Sequence, residues 1–187
     1  DILTGTEKSD LFNATTLNSL QNDDVLLDTT TTDSDILNAT VTTANVAARI
    51  QNIETINVTG EYVTTGLDLK NVSGAKTLNL DTKLAGGTAT VTDANTINAA
   101  AIKAGANIST LKVESLSSGT RDTVTVDGGN ADVNLKGSTA VDKYSVTIAK
   151  DKTLTANTMA SSGDELTVNA SNNFKLDTNA AIATATI

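Results

Sequence analysis

The sequence predicts an all-β protein, a right-handed parallel β-solenoid, and three observations support this prediction. They are a repeat of 11 residues, the narrow apolar part of each repeat and the scarcity of hairpin turns. Apolar residues alternate with polar ones in each repeat, which is the period of a short strand that buries one face. The pairs in this register are Ile56/Val58, Leu67/Leu69, Leu78/Leu80 and Ala89/Val91.

A strand this short cannot bury its own apolar face, so each repeat is expected to stack on copies of itself. If two repeats complete one turn, the coil has about 22 residues. The right-handed sense follows from the general rule for crossovers between parallel strands.

An antiparallel β-sandwich is the alternative, because its strands also recur every ~8 to 12 residues. Two features favour the solenoid. The apolar part of each unit is about three residues wide, which suits a thin core. The only strong hairpin signal is Asp127-Gly128-Gly129, whereas an antiparallel meander needs such a turn at every second connection.

The composition limits how the core can be built. The 187 residues include no Cys, His, Pro or Trp, two Phe and two Tyr, so the core is expected to consist of Val, Ile, Leu, Ala and Thr. Phe12, Tyr144 and Phe174 are predicted to fill gaps in it. Tyr62, which follows Gly60-Glu61 in a turn, is predicted to be exposed.

One domain is predicted over residues 1–187, since no Pro-rich or Ser/Gly-rich linker divides the chain. Residues 1–44 form an Asp-rich N-terminal segment, and residues 45–187 carry the stacked short strands. Val46–Ile50 and Ala99–Asn107 have helical composition and are predicted to form short helical turns. No apolar run approaches the ~20 residues of a transmembrane helix, and the chain starts without Met, so it is expected to be part of a longer protein.

Charge and composition exclude several functions. A net charge of −9 repels nucleic acid and attracts cations. Nucleophilic catalysis is not expected, because His and Cys are absent and no Ser lies in a nucleophile elbow. A β-helix enzyme acting on polysaccharides is the least favoured alternative, since Arg49 and Arg121 are the only arginines and aromatic platforms for sugars are scarce.

Acidic clusters make calcium the predicted cofactor, since Ca²⁺ takes about six to eight oxygen ligands and Asp carboxylates supply them. A solvated acidic surface is the other interpretation of the same residues. The denser cluster comprises Asp23, Asp24, Asp28, Asp33 and Asp35, and the second, around Gly128-Gly129, comprises Asp122, Asp127 and Asp132. The predicted ligands are Asp24, Asp28, Asp33, Asp35, Asp127 and Asp132.

The segment from Gly5 to Phe12 resembles the calcium-binding nonapeptide G-G-x-G-x-D-x-U-x, of which it keeps the first Gly, the Asp and the large apolar residue. From residue 2 to about residue 82 the order of elements is similar to that of RTX-type S-layer proteins and large repetitive surface proteins of Gram-negative bacteria, the calcium-binding β-roll adhesins. The resemblance implies secretion, calcium-dependent folding and assembly on the cell surface. Where those proteins have a glycine-rich turn, this chain has Thr29–Asp35.

The expected function is therefore structural. The chain is predicted to be an extracellular segment of a bacterial surface protein that self-associates in an S-layer. An adhesin or ligand-binding module, with a cell-surface polysaccharide or a host ligand as partner, is the alternative. The poverty of aromatic residues favours the layer, because recognition patches are enriched in them.

Overall fold

A computed structural model describes residues 1–43, 45–93, 101–114, 123–137, 143–157, 165–170, 175–178 and 184–186. Nineteen β-strands and no helix occur within these ranges. All the strand pairs formed by the described residues are parallel. The protein is thus a parallel β-solenoid, as predicted, and the antiparallel sandwich is wrong.

Three parallel sheets form the walls of the solenoid. A four-stranded sheet covers the N-terminal coils and consists of β1 (Ile2–Thr4), β3 (Val25–Leu27), β5 (Arg49–Gln51) and β8 (Val72–Ser73). A six-stranded sheet covers the later coils and consists of β7 (Thr64–Asp68), β10 (Gly87–Thr92), β12 (Ile108–Glu114), β14 (Asp132–Lys136), β16 (Thr153–Asn157) and β18 (Lys175–Thr178).

The third sheet runs along the whole described length and is called the long sheet below. Its nine strands are β2 (Leu11–Ala14), β4 (Ile36–Val41), β6 (Thr55–Gly60), β9 (Thr77–Thr82), β11 (Ala101–Ala104), β13 (Val124–Asp127), β15 (Lys143–Ile148), β17 (Glu165–Ala170) and β19 (Thr184–Thr186). Equivalent side chains in successive coils lie 25, 19 and 22 residues apart along the chain. The predicted coil length therefore describes the average, and connections of different lengths account for the spread.

The 11-residue repeat arises because successive repeats belong to different sheets. Ile56 in β6 pairs with Leu78 in β9 within the long sheet. Leu67 in β7 pairs with Val91 in β10 within the six-stranded sheet. All of these side chains are fully buried, so two repeats per coil line two walls of one core.

The core is aliphatic, as the composition requires. Its buried apolar residues form one cluster that extends from Phe12 to Val168. Tyr144 is buried in this cluster, while Tyr62 is 56% exposed. Phe174 lies outside the described residues.

The two predicted helical turns are wrong. Arg49–Gln51 forms β5, and Val46 makes a parallel bridge with Leu67. Ala101–Ala104 forms β11, which is bonded to strands on both sides, while Ala99 and Ala100 lie outside the described residues. The ladders of neighbouring coils outweigh the weak helical preference of alanine-rich sequence. The described part of the chain also contains no helix with the length and apolar character needed to cross a bilayer.

Candidate metal centre

Three acidic residues directly precede neighbouring strands of the long sheet. Asp10 precedes β2, Asp35 precedes β4 and Glu54 precedes β6. The backbone ladder begins at these residues, since the N–H of Ile36 donates to the Asp10 carbonyl and the N–H of Thr55 donates to the Asp35 carbonyl, both at 3.0 Å. Neighbouring strands are about 4.8 Å apart, so the three carboxylates are stacked along the solenoid axis.

The connection from β3 to β4 adds two further carboxylates, those of Asp28 and Asp33. Thr30 holds both of them. Its N–H donates to Asp28 Oδ2 at 2.6 Å, and its hydroxyl donates to Asp33 Oδ1 at 2.5 Å. This connection packs on the β1–β2 connection of the first coil, since the Thr29 hydroxyl donates to the Thr6 carbonyl at 2.8 Å. We call the resulting cluster the acidic corner; its members are Asp10, Asp28, Asp33, Asp35 and Glu54.

Within the acidic corner, two groups of three carboxylates have oxygens that all lie within 4.8 Å of one another. One group is Asp10, Asp28 and Asp35, and the other is Asp33, Asp35 and Glu54. Calcium lies about 2.3–2.6 Å from its oxygen ligands, so two oxygens on one ion are at most ~5 Å apart. Each group therefore has a spacing that suits one divalent cation, and Asp35 belongs to both.

Three oxygens of the acidic corner are buried without a hydrogen-bond donor among the described residues. They are Asp28 Oδ1, Asp33 Oδ2 and Asp35 Oδ2. Asp35 is fully buried and Asp28 is 5% exposed, while Asp33 is half-buried. Because a buried charged oxygen without a partner is costly, unsatisfied acceptors of this kind are rare in folded proteins.

The electrostatics of Asp35 agree with this geometry. Burial raises the pKa of its carboxyl, the hydrogen bond from the Asp10 N–H to Oδ1 at 2.7 Å lowers it, and repulsion by the neighbouring carboxylates raises it again. The resulting pKa lies above the usual value. The repelling groups are Asp28, Asp33 and Glu54.

Glu54 is the best compensated member of the corner. Its Oε2 accepts a hydrogen bond from the Asp35 N–H at 2.9 Å, and its Oε1 lies 3.6 Å from the ammonium of Lys76. Asp28, Asp33 and Asp35 form no ion pair within the described ranges. In the part of the chain that the structure describes, the ammonium of Lys76 is thus the one cation paired with these five carboxylates, and the corner attracts cations.

Gly5 provides the space in which the first group of carboxylates assembles. Its N–H donates to the Leu27 carbonyl at 2.7 Å, which fixes its backbone beside the start of the β3–β4 connection. A Cβ at this position would collide with Asp28 Oδ1 and would lie 2.9 Å from Asp10 Oδ2. Any larger residue would therefore displace these two carboxylates.

Of the predicted ligands in the N-terminal segment, the structure brings together Asp28, Asp33 and Asp35 but places Asp24 elsewhere. Asp24 directly precedes β3 in the four-stranded sheet. Its Oδ1 accepts from the amino-terminal ammonium and its Oδ2 from the Gln21 N–H, both at 2.7 Å. Burial raises the pKa of Asp24, but these two hydrogen bonds and the attraction of the ammonium lower it, and the net pKa is below the usual value.

The second predicted cluster does not assemble among the described residues. Asp127 Oδ1 accepts from the N–H of Gly129 at 3.0 Å, and Asp132 Oδ1 accepts from the N–H of Thr153 at 2.8 Å. Neither carboxylate belongs to a group of three that could share an ion in that part of the chain. Asp122 lies outside the described residues.

Asp10 and Glu54 complete the acidic corner but were not among the ligands predicted from sequence. The signal that identifies them is an acidic residue directly before a strand of the long sheet. Asp10-Leu11-Phe12 and Asp35-Ile36-Leu37 share this pattern, and Glu54-Thr55-Ile56 continues it in the next coil.

Comparisons with protein-family models, with curated proteins and with solved structures found no match to this chain.

Proposed function

We propose that this chain is a structural segment of a bacterial cell-surface protein, that it self-associates in an S-layer, and that calcium stabilises it. Its role is assembly and load bearing outside the cell, without catalysis. The proposal is supported chiefly by the way in which successive coils are bonded along the solenoid axis.

A ladder of asparagine side chains on the outer face of the long sheet carries this argument. Asn38 donates to Asn13 at 3.3 Å, Asn57 to Asn38 at 2.8 Å and Asn79 to Asn57 at 2.7 Å. Stacked amides add side-chain hydrogen bonds to the backbone ladder in the same direction. Such reinforcement suits a rod that transmits force along its length.

Calcium has a defined place in this proposal, because the acidic corner joins the first three strands of the long sheet. A ligand that binds only the folded state stabilises that state by about 2.7 kcal/mol when its free concentration is a hundred times its dissociation constant. Sites of extracellular modules have dissociation constants of about 10⁻⁴–10⁻³ M, so calcium outside the cell can occupy them.

Imaging of the purified 187-residue chain tests the assembly. Light scattering and negative-stain electron microscopy are compared in millimolar calcium and in excess chelator. We expect oligomers or two-dimensional sheets in calcium. A chain that stays monomeric at high concentration in both conditions contradicts self-assembly by this segment.

An adhesin or ligand-binding module is the second candidate, and one apolar patch favours it. Tyr62, Val63 and Leu84 are 56%, 46% and 51% exposed. Tyr62 and Val63 lie in the turn between β6 and β7, and Leu84 lies in the turn between β9 and β10, with the Glu61–Lys83 ion pair joining the two turns. Binding to a panel of surface glycans that Tyr62→Ala abolishes would favour this candidate over the layer.

A further inference from the structure

We infer that the acidic corner is a two-cation site in which Asp35 is the shared ligand of a pair of calcium ions. One ion is held by Asp10, Asp28 and Asp35, and the other by Asp33, Asp35 and Glu54. This inference rests on the proposed function, because a surface location supplies the calcium that such a site needs.

The distribution of unsatisfied oxygens is the observation that points to two ions. One unsatisfied oxygen lies on each of three residues, of which Asp28 belongs to the first group alone, Asp33 to the second group alone, and Asp35 to both. A single ion placed in one group would leave a buried oxygen of the other group without a partner. Two ions, one at each group, place a cation beside every residue that carries such an oxygen.

The net charge of the acidic corner also indicates two ions. Five carboxylates and the ammonium of Lys76 give an excess of four negative charges if all the groups are ionised. One divalent ion neutralises half of this excess, and two ions neutralise all of it. Mutual repulsion between two ions is reduced by a carboxylate that lies between them, and Asp35 occupies that position.

The chemistry of the donors favours calcium. The chain has no His and no Cys, so the nitrogen and sulfur ligands that zinc and copper prefer are missing. Magnesium usually keeps several waters and binds one or two carboxylates, whereas calcium accepts carboxylates, carbonyls and waters in flexible geometry. Three carboxylates per ion, two of them from the β3–β4 connection, match calcium better.

The two ions would tie together three coils that are otherwise joined by the backbone ladders of two sheets and by the asparagine ladder. Asp10 lies in the connection that leads into β2, Asp28, Asp33 and Asp35 lie in the connection that leads into β4, and Glu54 directly precedes β6. The first ion therefore links the first coil to the second, and the second ion links the second coil to the third.

The number of ions is measured first, by native mass spectrometry and by calorimetric titration of the chelator-treated wild-type chain with calcium chloride. We expect two calcium ions per chain. A single ion, or none up to 10 millimolar (about ten times the weakest dissociation constant usual for extracellular sites), overturns the inference.

Variants then separate the two positions. Asp28→Asn is expected to remove one ion and Glu54→Gln the other, while Asp35→Asn lowers the affinity for both by at least about tenfold, which corresponds to 1.4 kcal/mol. Asp24→Asn and Asp127→Asn are matched controls, since both carboxylates accept hydrogen bonds outside the corner, and they are expected to bind two ions. Loss of calcium in the Asp24 variant with retention in the Asp35 variant overturns the assignment.

Circular dichroism confirms that each variant is folded before titration, and the wild-type stoichiometry tests the inference even if a variant is not. The outcomes also separate the site from the proposed function. Two bound ions without assembly leave the site standing and contradict the layer. Assembly without bound calcium supports the layer and overturns the two-cation site.

Discussion

Asp35 is fully buried and yet lies beside four other carboxylates. In the absence of a cation, this arrangement opposes folding, since the charged form loses hydration and is repelled by its neighbours. Among the described residues, the Asp10 N–H is the only hydrogen-bond donor to this carboxylate, and it reaches one of the two oxygens. The residue is therefore expected to have opposite effects on stability in the absence and presence of calcium.

The first prediction concerns pH and the variant Asp35→Asn in excess chelator. Because the pKa of Asp35 in the folded state lies above the usual value of 3.8, the folded state binds a proton more tightly than the unfolded state. The ionised group destabilises the fold at neutral pH, and its penalty disappears as pH falls through the raised pKa. Asp35→Asn is thus expected to be more stable than wild type at pH 7, and the difference shrinks as pH falls towards 3.8.

Urea unfolding across this pH range measures the difference between the two proteins. In millimolar calcium at pH 7 the order is expected to reverse, with wild type the more stable protein. A variant that is less stable than wild type by the same amount in chelator and in calcium contradicts the role of Asp35 as a ligand.

The second prediction concerns Gly5→Ala. The added Cβ meets Asp10 and Asp28, which are ligands of the first ion only. It is therefore expected to cost about 1–3 kcal/mol, as overpacking usually does, and to reduce the rise in Tm on adding calcium, since the second group keeps its three carboxylates. Gly86→Ala is the control, because a Cβ there has nothing within 4 Å, although its φ of +83° adds a backbone cost of about 1 kcal/mol. Gly86→Ala should keep the full response to calcium, and an equal reduction in both variants would show that the effect is not local.

At this scale the sequence allows only part of the site to be predicted. The spacing of Asp28, Asp33 and Asp35 within one connection brings them close whatever the fold, and the structure confirms their proximity. Asp10 and Glu54 join them only through the register of neighbouring coils. The density of Asp in a stretch of sequence does not show which coil neighbours each residue meets. The sequence therefore predicts Asp24 as a ligand, whereas the fold places it away from the corner.

At the scale of secondary structure, the alternation of apolar and polar residues predicts the strands, but nothing in the sequence predicts which strands the turns connect. Ile56, Val58, Leu78 and Leu80 are all buried in the long sheet, as the 11-residue repeat predicts. The turn at Asp127-Gly128-Gly129, the strongest hairpin signal in the sequence, joins β13 of the long sheet to β14 of the six-stranded sheet and forms no hairpin. Turn residues permit a change of direction but do not specify which sheet the chain enters next. The hydrogen bonds between parallel strands of neighbouring coils determine that.

Opposite charges on successive coils also depend on the register. Glu61 pairs with Lys83 and Glu114 with Lys136, and Lys143 pairs with Glu165. Exposed ion pairs contribute about 0–1 kcal/mol each, so their main effect is on register, since a shifted coil would place like charges together. The asparagine ladder acts in the same way with uncharged groups.

The third prediction tests that ladder. Asn57→Ala removes the bond donated to Asn38 and the bond accepted from Asn79, and is expected to destabilise the protein by about 1–2 kcal/mol, since a net hydrogen bond is worth about 1 kcal/mol. Asn13→Ala is the control, because Asn13 is exposed at the end of the ladder and accepts one longer bond. Urea unfolding in chelator compares them, and equal costs for the two variants would contradict a role for the ladder in stability.

For the molecule as a whole, stacking makes stability a sum of contributions from neighbouring coils. Each strand of the long sheet is bonded to the strands immediately before and after it in the spatial order. In such a nearly one-dimensional protein an interaction stabilises its own coils directly and distant coils only through those between them. The first coil begins with a weakly protected strand, since β1 is entirely exposed.

The last prediction follows from this architecture and concerns where calcium acts. Hydrogen exchange measured by mass spectrometry, with and without millimolar calcium, is expected to show a large increase in protection from β1 to β6 and little change in β14 and β16. The reason is that all five carboxylates of the acidic corner lie in or beside the first three coils, and local opening of those coils needs no opening of the later ones. Sodium chloride at matched ionic strength controls for screening of the net charge of −9, which affects every coil. Equal protection along the chain, or the same protection in sodium chloride, would mean that calcium acts through general screening and not through a site that joins the first three coils.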